Sequence, residues 1–178
     1  MFDWAGLPIE DTQTSDYMSV DYISSFFRKD MDKPFFLACG IYRPHLPWYV
    51  PQKYFDMYPL ENIQLPDLLE NDTSDLGERA KELISRGGNY HKNVVESGKW
   101  KEAVRGYMAS ITYADAMVGK LIENLNNSKY AENTIVVIWS DHGWQLGEKM
   151  HWRKFALWEN VIRTLLMIKV PEIGRAHV

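Results

Sequence analysis

The chain has 178 residues, 46% apolar and 13% aromatic, with 20 Lys+Arg against 24 Asp+Glu for a formal net charge of -4. This is one ordinary domain's length with ample apolar matter for a packed core, which excludes a disordered polymer; the mild charge excludes a polyanion-binding surface as the main business of the protein. No apolar run approaches the roughly 18 residues of a membrane span, and the single Cys39 excludes a disulfide within the chain.

In chain order, "TSDYMSVDYISSFFRKD" offers Thr14 or Ser15 as an N-cap, then Tyr17, Val20, Ile23 and Phe26/Phe27 at helical spacing, and so predicts an amphipathic helix. "DKPFFLACG" is too short for a helix and stops at Gly40, which fits a buried parallel strand with Cys39 as a small hydrophobe. From 41 to 100 the periodicity is lost among prolines and polar runs. That excursion reads as surface loops with short helical pieces near 52–57 and 75–85. "KEAVRGYMASITYADAMVGKLIENLNNS" restores a helical stripe from Val104 to Leu125. "NTIVVIWS" and "RTLLMIKV" then read as strands from their β-branched and apolar runs.

Helix, strand, long loop, helix, strand, polar loop, strand is the pattern of an α/β fold, a mostly parallel sheet flanked by helices. Ligands in such folds sit beyond the carboxyl ends of strands. "YRPHLP" and "SDHGWQLGEKMHWRK" are therefore expected on one rim. Asp141 and His142 can bind a divalent cation or act as base and orienter; alternatively Asp141 caps a turn while His142 packs under Trp144. Lys154 is either a point charge for an anionic oxygen or a solvated lysine. His151 is a proton donor, a substrate contact or a surface histidine beside Trp152. His45 sits between Pro44 and Pro47, which restrict the backbone around the imidazole.

Three segments together carry a family resemblance: "DKPFFLACGIYRPHLPWYVPQKYFDMYPLENIQLP", "YMASITYADAMVGKLIENL" and "NTIVVIWSDHGWQLGEKMHWRKFALWE". In this order they resemble the central portion of a type I sulfatase, of the alkaline phosphatase-like superfamily, on the iduronate-2-sulfatase-like branch. The resemblance implies an alkaline phosphatase-like α/β fold, here incomplete, and hydrolysis of sulfate esters, on a carbohydrate or glycosaminoglycan. It implies that Asp141 and His142 are metal ligands, normally for Ca2+, and that Lys154 and His45 line the sulfate pocket as catalytic and substrate-binding groups. His151 is implied as a substrate contact at best. An imidazole is an unusual ligand for calcium, which prefers oxygen, so metal position is better defined than metal identity.

The family's formylglycine motif, C-x-P-x-R or S-x-P-x-R with a first Asp-Asp metal pair, is not in these 178 residues, and Cys39 lacks the proline two positions on. The expectation is therefore a fragment, residues 1–178 of a catalytic domain without the family's smaller C-terminal domain. It is expected to be inactive alone and to self-associate through uncovered sheet surface. The family suggests a periplasmic, secreted or lysosomal address. The competing readings are a phosphatase or phosphodiesterase relative in the same superfamily, and a non-catalytic binding or scaffold protein that kept the fold.

Overall fold

The structure, a computed structural model, describes residues 1–69, 71–85, 88 and 90–171 together with the backbone of 174–177. The chain divides into two compact units, Met1–Ile63 with Arg105–Thr134, and Gln64–Val104 with Ile135–Val178.

In the first unit, α1 spans Ser15–Phe26, and Thr14 caps it by accepting the Tyr17 amide at 3.3 Å. Val20 and Ser24 lie on its buried face. They pack toward the apolar stripe of α5, Trp100–Asn126, whose part from Arg105 onward belongs to this unit. Val20, Val50, Tyr54, Phe55, Ala109, Tyr113 and Met117 form one buried cluster, with Cys39 and Ile41 packed against it. Full burial of each large apolar member contributes about 1.5–3 kcal/mol.

Two strands without a sequence signal complete this unit. β1, Trp4–Leu7, pairs in parallel with β2, Trp48–Pro51, in the register Trp4↔Trp48, and α2, Gln52–Asp56, follows at once. Each strand has only four residues, too short for a legible alternation. Residues 35–40 alternate rather than being buried throughout as expected, with Phe35, Leu37 and Cys39 half-buried and Phe36 87% exposed. They join no ladder among the described residues, so the predicted strand is an extended segment without a pairing partner there.

The second unit contains α3, Glu78–Ser85, and α4, Tyr90–Glu96, in the region expected to be loop-rich. β3, Val136–Trp139, lies antiparallel to β6, Leu166–Val170, and β6 is followed in the sheet by antiparallel β7, Gly174–His177. Between β3 and β6 come a short hairpin, β4 at Gln145–Leu146 and β5 at Trp152–Arg153, and the four-residue α6, Glu159–Ile162. Parallel neighbours are usually joined by a crossover helix. Here a polar loop and a single helical turn make the connection, and parallel pairing among the described strands is confined to β1 and β2. Among the described residues, no helix is long and apolar enough to cross a membrane.

Candidate active-site loops

The 140–154 segment leaves the end of β3 and turns immediately. The Ser140 amide donates to the Leu165 carbonyl at 3.0 Å, and its hydroxyl donates to the His142 carbonyl at 2.9 Å. Gly143 is needed at the next step. Its amide donates to the Val161 carbonyl at 2.6 Å and the Trp144 amide to the Asn160 carbonyl at 2.9 Å. A Cβ on Gly143 would lie 2.0 Å from the Asn160 oxygen.

This turn brings Asp141 and His142 together, as the metal-ligand reading requires. His142 Nδ1 is 2.7 Å from the Gly143 carbonyl. A carbonyl can only accept, so Nδ1 carries the proton and Nε2 presents its lone pair. That Nε2 lies 3.6 Å from Asp141 Oδ2, and the carboxylate is 82% exposed. A backbone partner that fixes the tautomer is the usual support of a metal-binding imidazole. The pair therefore suits two coordination positions of a divalent cation, one nitrogen and one oxygen. No cluster of three or more His, Cys, Asp or Glu suited to a metal occurs among the described residues.

The hairpin that follows is tightly built. Leu146 donates its amide to Glu148 Oε2 at 2.6 Å and accepts from Trp100 Nε1 at 2.8 Å, and Lys149 reaches Asp72 at 2.6 Å. Lys149, Met150 and Arg153 all have left-handed backbone, with φ of 55°, 55° and 80°. Such conformations are uncommon outside glycine and cluster where surrounding structure imposes them. Arg153 donates to the Tyr90 hydroxyl at 3.1 Å, with its guanidinium over the Tyr90 and Phe155 rings. Lys154, the next residue, is half-buried, and its ammonium has no carboxylate or hydrogen-bond partner among the described residues. A cation so placed is free to meet an anion.

His151 is not a surface histidine. It is 4% exposed, its ring stands edge-on to Trp158 at 5.7 Å, and its Nε2 is closed off from solvent. Burial, and secondarily the charge of Arg153, hold its pKa below the ordinary value. Burial does the same to His91, whose Nδ1 accepts from Trp152 Nε1 at 3.2 Å. Both rings take up a proton less readily in the folded chain than in the unfolded one, where they do so near pH 6.5. The stability they contribute is complete above that pH and is lost as pH falls toward the depressed folded values. The urea midpoint should drop between pH 7.5 and 5.5, and replacing both residues by glutamine should flatten that slope.

His45 belongs to the first unit, on a braced loop. Its Nδ1 is 2.7 Å from the Leu46 carbonyl, which again assigns the proton to Nδ1 and the lone pair to Nε2. The Tyr42 ring lies 4.8 Å from the imidazole, tilted 43° to it, and the Tyr42 hydroxyl donates to the Leu46 carbonyl at 2.8 Å. Arg43 ties the loop to the Tyr49 carbonyl at 3.0 Å, and Trp48 Nε1 to the Pro44 carbonyl at 2.9 Å. Cys39 is half-buried, and burial, followed by the Asp16 carboxylate, raises its thiol pKa. It is a poor nucleophile, in keeping with its reading as a small hydrophobe.

A family model described as Sulfatase matches residues 4–178. A sulfatase from Formosa agariphila is 40% identical over 176 residues, covering 97% of this chain and 34% of that protein. Mouse iduronate 2-sulfatase is 33% identical over 153 residues, covering 80% of this chain and 28% of its own length. The solved phosphonate monoester hydrolase from Silicibacter pomeroyi superposes with a TM-score of 0.74 at 20% identity, over 92% of this chain and 34% of that one. The shared architecture is the α/β fold of the alkaline phosphatase-like enzymes.

The chain belongs to the sulfatase family. It spans about a third of the length of the curated relatives it matches.

Proposed function

We propose that this chain is part of an enzyme that hydrolyses sulfate esters of a carbohydrate or glycosaminoglycan, the substrate class suggested by the name of iduronate 2-sulfatase. The observation that carries the reading is the 140–154 segment. It holds an exposed Asp141 carboxylate, a His142 ring whose Nε2 carries the lone pair, and a Lys154 ammonium without a carboxylate or hydrogen-bond partner among the described residues. Asp141 and His142 would hold a divalent cation, Ca2+ by family habit, and such a cation supplies positive charge to sulfate oxygens. Lys154 offsets the charge of the ester group, and His45 is assigned proton donation to the leaving alcohol in its imidazolium form, because the neutral ring with its proton on Nδ1 has only a lone pair at Nε2. The burial of His151 assigns it to packing the hairpin, so substrate would reach it only if that hairpin opened.

The experiment is metal binding followed by thermal unfolding. Ca2+ or Mn2+ should raise the melting temperature of the chain, and Asp141→Asn should abolish the rise, because a ligand that binds only the folded state stabilises it. Equal shifts in both proteins would remove Asp141 from the metal site. We further propose that the 178 residues alone hydrolyse no aryl sulfate, since the C-x-P-x-R nucleophile motif is not among them. Turnover by pure protein that disappears in Lys154→Ala would contradict this.

Self-association is part of the same proposal. Ile135, Val137 and Trp139 are 61%, 44% and 63% exposed along one edge-to-edge row of β3 and the residue before it. Exposed apolar strand surface favours pairing between copies. Sedimentation velocity should show species larger than a monomer, whereas a single monomer peak at all concentrations would count against it.

A further inference from the structure

Asp16 is an acidic residue in the first turn of α1, where helix electrostatics alone would explain a carboxylate. Yet it is only 4% exposed, and both its oxygens are committed to a different part of the chain. Oδ1 accepts the Tyr42 amide at 3.0 Å, and Oδ2 accepts the Arg43 amide at 3.1 Å. These are the two residues that place His45. Tyr42 packs its tilted ring against the imidazole and donates its hydroxyl to the Leu46 carbonyl, which also accepts the His45 Nδ1 proton. The Tyr42 carbonyl accepts the His45 amide at 3.0 Å, and Arg43 braces the Tyr49 carbonyl on the far side of the loop.

We propose that Asp16 is the positioning residue of His45, and that its carboxylate clamps the 42–43 backbone so that the imidazole is held in one tautomer, with its proton on Nδ1. The functional meaning rests on the reading of His45 as a sulfate-site residue; the positioning itself does not. Two adjacent amides pointing at one oxygen pair need a carboxylate at a fixed reach. An asparagine can accept one of them but turns an NH2 against the other. A glutamate keeps the charge near the helix N-terminus but overreaches by one methylene. Removing the clamp frees the peptide planes on which both Tyr42 and Arg43 depend, so the Nδ1–H to Leu46 bond is no longer enforced.

The test uses NMR of the full 178-residue chain labelled at histidine, with the His45 ring assigned by its loss in His45→Gln. In the unsubstituted chain the ring should show a single Nδ1-protonated tautomer, a slowly exchanging Nδ1–H and a ring-current shift from Tyr42. Asp16→Asn and Asp16→Glu should both lose the slow Nδ1–H and give averaged tautomers, while the His91 and His151 signals of the folded second unit persist. A carboxylate serving only the helix terminus predicts that Asp16→Glu leaves His45 unchanged, and that outcome overturns the proposal. So does a shift of the Tyr42 and Arg43 amides in Asp16→Asn that leaves the ring signals as they were. Addition of a sulfated monosaccharide to the unsubstituted chain reads the functional assignment separately. An unmoved His45 signal there would sink the sulfate-site reading and leave the positioning result standing.

Discussion

Gly143→Ala should destabilise the second unit by about 3 kcal/mol or more and abolish stabilisation by divalent cations. The added Cβ would meet the Asn160 oxygen at 2.0 Å, its carbon at 3.0 Å and the Arg163 oxygen at 3.3 Å. All three are backbone atoms, so no side chain can swing aside. Relief requires separating the 143–144 backbone from the start of α6, which breaks the Gly143 to Val161 and Trp144 to Asn160 hydrogen bonds. Overpacking of this kind costs about 1–3 kcal/mol, and each lost hydrogen bond about 1 kcal/mol more. The displaced turn is the one that aligns His142 Nε2 with Asp141, so loss of metal response should accompany the loss of stability. Urea denaturation followed by circular dichroism, with and without Ca2+, measures both. A variant of near-normal midpoint that still responds to metal would mean that the loop and α6 part at little cost, and that the ligand pair does not depend on their contact.

The elements that could be read from sequence are those whose local pattern agrees with their tertiary role. α5 carries a long apolar stripe, Thr14 is a good N-cap ahead of a periodic run, and β3 is β-branched. β1 and β2 were not readable, because four-residue strands containing Trp4, Gly6 and Pro51 have no period to display and owe their pairing to the core beneath them. The site divides in the same way. Asp141, His142 and Lys154, the proposed ligands and sulfate contact, could be singled out from sequence because they lie within one contiguous segment that resembles a family motif. Asp16 was invisible as a site residue, since its partners Tyr42 and Arg43 lie far along the chain and its position in a first helical turn has an adequate local explanation. The left-handed residues 149, 150 and 153 likewise have no sequence signature. Of these, the side chains of Lys149 and Arg153 are held by Asp72 and Tyr90, which lie elsewhere in the second unit.

Trp48→Ala should cost the first unit about 3–5 kcal/mol, the range for emptying a buried aromatic site. The side chain is fully buried and packs edge-on to Tyr107 at 5.4 Å and Phe2 at 5.8 Å, with Trp4 at 6.4 Å. These rings come from β1, α5 and the N-terminal residues, so no single element can collapse into the space without disturbing the others. The indole also donates Nε1 to the Pro44 carbonyl at 2.9 Å. Trp48→Phe should therefore cost less, because it keeps most of the ring volume and loses that one bond, worth about 1 kcal/mol. The comparison separates packing from support of the His45 loop. Both variants should loosen the loop at Pro44, but only the alanine variant should lower the urea midpoint of the whole unit steeply. A loss below about 1 kcal/mol in Trp48→Ala would show that the neighbouring rings close over the site, at odds with the close packing expected of a protein interior.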